Sequence, residues 1–343
     1  MAGTPSTSAT WKIGRQSAQG TPITTGFITA LAEQSSFYVA FDEAQKAAEH
    51  GAGAADRATA RKSASIRSGY LVRGQFRCNA YPNLAGLLLR GAGFGVSTTG
   101  TTERTHVFTL ATRANHAWLT MLHAVGGLER RATDARVNRL TLTAQPDGIK
   151  WSGEWRALTE DDAVGTETTT AESTAAELLP SQGSLVMNFD PAGADTEIIN
   201  TSTDDLTRFT MDIANPLDEA DLALFRFGHA DLTQTGLTVG GTVEGAAIDW
   251  ATYDLLVRNS GANPSASTAI CDLDTIFRSA VNIAGAAVPY SCRIQIPRVE
   301  VTIDEGGFTA EGENLIRWSY AWQMIDAVTT PITITLVNLQ TAY

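Results

Sequence analysis

The residues best suited to metal binding or nucleophilic chemistry are few and scattered in this 343-residue chain. His106, His116 and His123 lie in one region, but neither spacing places a pair on one helical face, as a zinc-binding His-Glu-x-x-His motif would. The cysteines are odd in number and widely spaced, at positions 78, 271 and 292. This spacing predicts reduced, buried thiols rather than a disulfide framework or a metal site. We therefore expect no metal.

Other motifs that carry chemistry are also missing from the sequence. There is no GxxxxGK[ST] loop to hold a phosphate, and Gly91, Gly93 and Gly95 alternate without forming GxGxxG. There is no GxSxG nucleophile elbow. The acidic residues 160–162 lack the spacing of a calcium loop and are interpreted as solvated charge. The sequence predicts a protein that is not an enzyme and that binds no cofactor.

Alternating apolar and polar residues instead predict a mainly β fold. Apolar residues recur at every second position in five segments, around residues 70–78, 149–155, 209–213, 318–324 and 332–336. A period of two is typical of half-buried, mostly antiparallel strands. Residues 145–148 and 304–307 contain Asp and Gly and are predicted hairpin turns.

Helix is predicted to be scarce. Residues 83–91 form a short apolar run with Pro82 at its start and glycines at its end, a pattern that favours a helix. Residues 250–259 are its expected counterpart in the second half, and residues 274–284 are a candidate third helix. We expect such helices to cover an open end or face of a β-barrel.

A similar strand-and-helix pattern occurs in both halves of the chain and predicts a duplication. Residues 72–77 precede the apolar run 87–90, and residues 243–248 precede the similar run 255–258. An alternating strand then follows in each half, at 140–144 and at 299–303. Because a shared β pattern can mimic a repeat, coincidence is the alternative. Repeats usually build surfaces rather than single active sites, so duplication favours a binding or assembly protein.

Charge and chain length divide the molecule in the same way. Residues 1–160 carry 18 Lys and Arg against 11 Asp and Glu, a net charge of +7, and residues 161–343 carry 7 against 26, a net charge of −19. A chain of this length favours two domains. We expect a flexible N-terminus (1–10), a first barrel (11–160), an acidic linker (161–183) and a second barrel (184–343). The charge split indicates one acidic domain, contact between unlike halves of neighbouring copies, or repulsion of a polyanion.

One segment in the first half is too polar to pack in a core and too long for an ordinary connection. Residues 43–67 are rich in Ala and charge, with glycines in the middle. We interpret them as an arm that orders against an adjacent copy; a floppy insertion is the alternative. The candidate assembly residues are the cations of this arm: Lys46, Arg57, Arg61, Lys62 and Arg67.

Several segments, taken in order, resemble tail tube proteins of long-tailed, non-contractile phages. The match starts at Ile13–Pro22, where Gln16 stands in place of the commoner Glu. The other segments that carry the resemblance are Gly69–Phe76, Tyr81–Leu88, Thr105–Thr109, Arg136–Leu142 with the turn at Asp147-Gly148, Phe209–Leu217 and Pro331–Asn338. Each motif is loose, so the specificity lies in their order along the chain.

The resemblance implies a virion structural protein that stacks as rings into a tail tube, the conduit for DNA ejection. It implies two similar β-sandwich barrels per chain, so that three chains make a pseudo-hexameric ring, with hexamers of the whole chain as the fallback. The implied partners are further copies of the chain, the tape measure protein, the tail terminator and the distal tail protein. Assembly would take place in the host cytoplasm, and no membrane partner is expected.

Two further expectations concern DNA and the alternative function. We expect a net negative lumen, supplied largely by the second half, because cationic contacts would retain DNA. The alternative is a phage- or cell-surface β-sandwich that binds or adheres to a partner. It would share the alternating strands, but it would stay in small oligomers rather than form rods.

Overall fold

A computed structural model describes most of the chain as extended strands. It covers residues 10–30, 32–45, 65–112, 116–125, 128–162, 167–172, 176–189, 196–201, 205–218, 229–246, 255–258, 268–311, 315–325 and 331–343. The strands, in chain order, are β1 (Thr10–Arg15), β2 (Phe27–Ala30), β3 (Ala32–Gln45), β4 (Ser65–Asn79), β5 (Phe94–Thr99), β6 (Arg104–Leu110), β7 (Leu119–Val125), β8 (Leu128–Gln145), β9 (Gly148–Asp162), β10 (Thr169–Ala171), β11 (Leu179–Phe189), β12 (Thr196–Asn200), β13 (Asp205–Ala214), β14 (Leu217–Asp218), β15 (Thr233–Gln234), β16 (Thr238–Ala246), β17 (Ala269–Asn282), β18 (Pro289–Glu311), β19 (Leu315–Met324) and β20 (Thr333–Asn338). The expected mainly β fold is confirmed.

The helix predicted in the first half is also confirmed. Helix α1 (Pro82–Gly91) begins with proline at its first position, and nearly all of its residues are buried. Leu255–Arg258 is helical within the segment predicted as its counterpart. The remainder of that segment, 250–254 and 259, lies outside the described residues.

Two local predictions are wrong. Residues 274–284 do not form a helix, because Asp274–Asn282 belong to β17, where alternate side chains are buried against the core. Residues 304–307 do not form a hairpin turn. They lie inside β18, and the pairing with β19 passes directly from Ile303 to Phe308. An irregularity of this kind bends a strand without reversing it.

Eight strands form a continuous antiparallel layer that runs through both halves of the chain. Their order is β3, β4, β9, β8, β13, β16, β19 and β18. We call this layer the eight-strand ribbon. Its middle is the pairing of β8 with β13, which joins residues 139–144 of the first half to residues 214–209 of the second. Backbone hydrogen bonding therefore joins the two predicted domains directly.

The pairing pattern of the first half is repeated in the second. In the first half β3–β4–β9–β8 is followed by β7, β1 and β2 on the far side of β8. In the second half β13–β16–β19–β18 is followed by β17, β11 and β12. Every antiparallel pair in one series has a counterpart in the other. This repetition supports the expected duplication.

A glycine–tryptophan pair marks equivalent positions in the two halves. Gly74 of β4 pairs with Trp155 of β9, and Gly245 of β16 pairs with Trp318 of β19. A Cβ atom on either glycine would overlap the indole ring of its partner. Each tryptophan therefore packs over a backbone that only glycine leaves open. Gly241 and Trp322 form a similar pair, and we align Gly74 with Gly245 because Val72-Arg73 and Val243-Glu244 precede them at the same spacing.

The strand pairings do not close a barrel. Among the described residues, eighteen strands are joined as an open, branched sheet, and β14 and β15 pair apart from it. The second layer packs on the ribbon through a core that contains residues of both halves, such as Trp11 stacked on Phe76 and Phe209 stacked on Trp322. Strand β20 also pairs with β6 of the first half. Whether residues 11–160 and 184–343 are separate domains stays a prediction.

Candidate assembly surfaces

The eight-strand ribbon has one buried face and one polar face. Alternation places apolar side chains such as Phe76, Trp155 and Met211 in the core and polar side chains on the other side. A single row of paired residues crosses all eight strands of the polar face: Gln34, Arg77, Ser152, Thr141, Asp212, Gly240, Gln323 and Glu300. A continuous row of polar residues therefore crosses the ribbon, while at one end of the same face Leu71 and Leu158 pack against Leu217 and Leu232.

Cations on this polar face lie beside carboxylates. Arg139 of β8 binds Asp212 of β13 through two hydrogen bonds, of 2.8 Å from Nε and 2.6 Å from Nη2. Thr141 donates to the same carboxylate at 2.7 Å. Hydrogen bonding to Asp212 is the main cause that raises the pKa of the Arg139 guanidinium. The contact joins the basic half to the acidic half within one chain.

Further ion pairs continue along the same face. Arg208 lies 3.3 Å from Glu244, and Glu33 lies 2.7 Å from Lys150 and 3.4 Å from Arg77. The side chains of these residues are partly exposed, so each pair contributes about 0–1 kcal/mol to folding. Their main effect is on the surface itself, where the positive charge of each cation is offset locally.

The polar face carries both signs of charge, and whether the lumen is net negative stays a prediction. The described polar face carries cations at 73, 77, 130, 136, 139, 150, 156 and 208, and carboxylates at 33, 154, 160, 162, 205, 212, 244 and 300. The two signs are nearly balanced, with an excess of cations in the first half and of carboxylates in the second. The net charge of a half does not predict this, because acidic residues of the second half such as Glu172, Asp231 and Asp274 lie away from the ribbon.

The outer edge of β3 exposes large apolar side chains. Tyr38 is 51% exposed and Phe41 is 41% exposed. In β13, the equivalent strand of the second half, Met211 occupies the place of Phe41 and is fully buried where β13 pairs with β8. The exposed edge of β3 was not predicted from the sequence. The run from Phe37 to Phe41 carries an apolar residue at almost every position, which signals a strand that is covered on both faces.

The candidate assembly arm lies mostly outside the described residues. Lys46, Arg57, Arg61 and Lys62 fall within 46–64, whose placement is not described. The backbone of Arg67 pairs with Glu43, because β3 and β4 form a hairpin that extends to Gln45 and Ser65. The arm therefore connects the ends of β3 and β4. The role of its cations stays a prediction.

Two of the three neighbouring histidines make side-chain hydrogen bonds within the fold. Buried His106 contacts Thr98 at 2.9 Å and Asn338 at 3.1 Å, and His123 contacts Ser35 at 2.8 Å. Burial lowers the pKa of both imidazoles. The three cysteines are buried free thiols, and the described residues contain no group of three or more His, Cys, Asp or Glu side chains placed to bind a metal ion.

The contacts of Gln16 account for glutamine in place of the commoner glutamate in the first motif. Its side-chain amide donates to the Asp134 carboxylate at 2.8 Å and accepts from the Asp134 backbone N–H at 2.8 Å. The same carboxylate accepts from the Gly20 backbone N–H at 2.7 Å, and Asp134 has a positive φ of 60°. Glutamate at position 16 would accept but not donate when ionised, and it would face a second carboxylate.

The predicted linker supplies a buried acid that caps helix α1. The Glu172 carboxylate accepts from the Leu84 backbone N–H at 2.5 Å and from the Asn83 side-chain amide at 2.8 Å. Burial raises the pKa of Glu172 to about 7, although these hydrogen bonds act in the opposite direction. The cap satisfies a backbone donor at the start of the helix.

An open sheet edge with exposed apolar side chains is a template for pairing with another chain. In agreement, a family model described as phage tail tube protein matches residues 8–288. The chain therefore belongs to the phage tail tube protein family and is a structural component of the virion tail. None of the curated proteins matches it. No described helix has the length and hydrophobicity needed to cross a membrane.

Proposed function

We propose that the protein polymerises as stacked rings into the phage tail tube and that this tube is the conduit for DNA ejection. The observation that carries the proposal is the eight-strand ribbon, which has a core-facing side and a row of polar residues that crosses all eight strands on the other side. Such a layer can line a water-filled channel when neighbouring copies continue it. The role is structural, and no catalytic or cofactor site is proposed.

The repeated pairing pattern favours three chains per ring rather than six. If each half supplies one of six equivalent positions, three copies line the channel with eight strands each, about 24 in all. At about 4.8 Å between strands, the perimeter is at least about 115 Å and the diameter about 37 Å, and strand tilt would widen it. Barrels of 16–18 strands already leave an aqueous channel.

The polar face fits the passage of DNA without retention. Each cationic contact with phosphate releases counterions and adds sequence-independent affinity. Ion pairs such as Arg139 with Asp212 offset that charge before DNA arrives. We infer that local pairing, rather than a strongly negative lining, keeps the lumen from holding its cargo.

The remaining partners are proposed from the resemblance to the family. A tape measure protein inside the tube, a tail terminator at one end and a distal tail protein at the other are proposed contacts, with assembly in the host cytoplasm. The arm cations are proposed to contact acidic surface of an adjacent subunit or ring. Deletion of residues 46–62 is expected to block polymerisation and leave folded protomers. Normal tubes from the deletion variant would remove the arm from assembly.

Electron microscopy and native mass spectrometry test the proposal directly. Purified protein at high concentration is expected to form long hollow rods built from trimeric rings. True sixfold rings of the whole chain would reject the trimer and keep the tube. Assembled rods are expected to show no appreciable DNA affinity at physiological salt. Tight, salt-sensitive binding would contradict the proposed role of the charge pairs.

The alternative is a phage- or cell-surface β-sandwich that binds or adheres to a partner. The exposed aromatic residues on β3 are the observation in its favour, because such residues are common in binding surfaces. An adhesion module would stay in small oligomers at concentrations where a tube protein forms rods. Persistent small oligomers across a broad concentration range would favour this function.

A further inference from the structure

A cavity of about 400 Å³ lies where the end of β1, the last turn of α1 and the start of β5 meet the segment that precedes β7. Two arginines line it: Arg15, the last residue of β1, and Arg90, in the last turn of α1. His116 and Trp118 line it from the segment before β7. Ligand pockets have typical volumes of about 300–1,000 Å³, so this space is large enough for a small ligand.

Arg90 brings a buried positive charge to this cavity, because the residue is only 7% exposed. Its Nη1 donates to the Phe94 carbonyl at 2.7 Å, a contact that holds the turn between α1 and β5. Its Nε has no hydrogen-bond partner among the described residues. A guanidinium has five N–H donors, so the contact with Phe94 uses one of them. A structural role at the end of the helix therefore accounts for only part of this side chain.

Arg15 places a second positive charge close to Arg90. Burial lowers the pKa of the Arg90 guanidinium, and the charge of Arg15 lowers this pKa further. Arg15 itself is exposed and donates to a main-chain oxygen of Tyr343, the last residue of the sequence. In the part of the chain that the structure describes, no Asp or Glu side chain forms an ion pair with either arginine. Buried charges are normally paired, so Arg90 lacks the counter-ion that its burial requires.

The surroundings of the cavity add positive rather than negative potential. The Arg136 guanidinium lies 3.7 Å from the centroid of the Trp118 ring, which lines the cavity. Gln16 also lines the cavity, and its amide donates to the Asp134 carboxylate. Asp134 accepts a further hydrogen bond from the Gly20 backbone N–H and does not itself line the cavity. An anion in this space would therefore meet guanidinium donors and no carboxylate from the lining residues.

We propose that this cavity binds a small oxyanion, a phosphate or a carboxylate, through the guanidinium groups of Arg15 and Arg90. Guanidinium groups suit both ligands, because their planar N–H donors match the oxygen atoms of carboxylate and phosphate in pairs. The anion has two possible sources, inorganic phosphate from solution or an acidic side chain of another copy of the chain. Binding of phosphate to single protomers does not depend on the proposed tube.

Isothermal titration calorimetry with inorganic phosphate tests the site on protomers, with chloride at the same ionic strength as the reference. The wild type is expected to bind phosphate saturably, and Arg15→Gln is expected to weaken binding by about tenfold or more, since it removes a charge-assisted hydrogen-bond donor. Arg104→Gln removes the same charge from β6, outside the cavity, and should bind as the wild type does. No saturable binding by the wild type, or equal affinity in Arg15→Gln, would overturn the proposal.

Arg90→Lys provides a second variant at the buried position. It keeps the positive charge but loses the planar donors, so a folded Arg90→Lys protomer is expected to bind phosphate more weakly than the wild type. Wild-type affinity in the folded variant would contradict the role of Arg90. Circular dichroism establishes whether the variant folds, and Arg15→Gln decides the question if it does not, because Arg15 is exposed.

Rod formation in phosphate and in chloride at equal ionic strength distinguishes the two sources of the anion. If an acidic side chain of another copy occupies the cavity, phosphate competes with it and raises the concentration needed for rods, and Arg15→Gln has the same effect in chloride. If the anion comes from solution, rod formation is the same in both salts. A chain that forms no rods would contradict the proposed tube and would leave the calorimetric test on protomers unaffected.

Discussion

The two halves of the eight-strand ribbon share one pairing scheme but differ in what covers their first strand. In the second half β13 is paired on both sides, and its inward residues are buried. In the first half β3 is paired on one side and exposes Tyr38 and Phe41. The comparison shows which part of the fold is intrinsic to a repeat and which part depends on the neighbouring repeat. The hydrogen-bonding scheme is common to both repeats, whereas the cover over β13 is supplied by β8 of the other half.

The largest expected effect on stability comes from Tyr343, which packs against helix α1 of the first half. Tyr343 is buried against Gly86 of helix α1, and its hydroxyl accepts from Asn338 at 2.7 Å and donates to the Pro82 carbonyl at 3.2 Å. Tyr343→Ala is expected to lower the free energy of unfolding in urea by about 3–5 kcal/mol, because it leaves a large cavity.

Tyr343→Phe is the matched control for this substitution. It keeps the ring and removes the hydroxyl, so a loss of about 1 kcal/mol is expected. If Tyr343→Ala unfolds at the wild-type urea midpoint, the helix of the first half does not depend on this contact. The two halves would then be more independent than their shared core indicates.

Substitutions at Gly74 and Gly245 test whether the two repeats are equivalent. Gly74→Ala and Gly245→Ala each force a methyl group into an indole ring, so each is expected to cost about 1–3 kcal/mol in the free energy of unfolding. If the halves are equivalent, the two costs should agree within about 1 kcal/mol. Gly236→Ala is the control, since no atom lies within 4 Å of the added Cβ. A normal urea midpoint for one marker variant alone would break the equivalence.

A pH titration tests the linker that belongs to neither repeat. The pKa of Glu172 is raised from 4.5 to about 7 in the folded protein, so its contribution to stability is complete below pH 4.5 and is lost as the pH rises through about 7. The free energy of unfolding should fall over this range by on the order of 1–3 kcal/mol. Glu172→Gln should flatten the profile, because the side chain no longer titrates. An unchanged profile in this variant would assign the pH dependence to another group.

The smallest expected effect on folding comes from the ion pair between Arg139 and Asp212, where β8 pairs with β13. The same change is expected to affect DNA binding. Arg139 and Asp212 are partly exposed, so Asp212→Asn should change stability by less than about 1 kcal/mol. It frees Arg139 on the polar face, and rods of this variant should retain DNA in a salt-sensitive way. Asp147→Asn, in the exposed β8–β9 turn, makes the same charge change away from this face. Equal DNA retention by wild type and both variants would contradict the role of pairing.

Much of the fold could be predicted from local pattern. Alternation identified the strands around Phe76, Trp155 and Phe209, because side chains on a strand point to opposite faces whatever pairs with it. Proline and glycine bounded helix α1 for equally local reasons. The segment 274–284 was mistaken for a helix, because its apolar spacing fits either period and its burial in β17 is decided by contacts with β11 and β18.

The sequence by itself determined the strand-rich class, the approximate repeat, the buried thiols and the resemblance to tail tube proteins, since each depends on residue type and spacing along the chain. Only the tertiary structure decided that β8 pairs with β13, that Glu172 caps a helix 88 residues before it, and that Arg139 meets Asp212. These contacts join residues far apart in the chain. Their energies depend on burial and on the orientation of neighbouring strands, which no local pattern records.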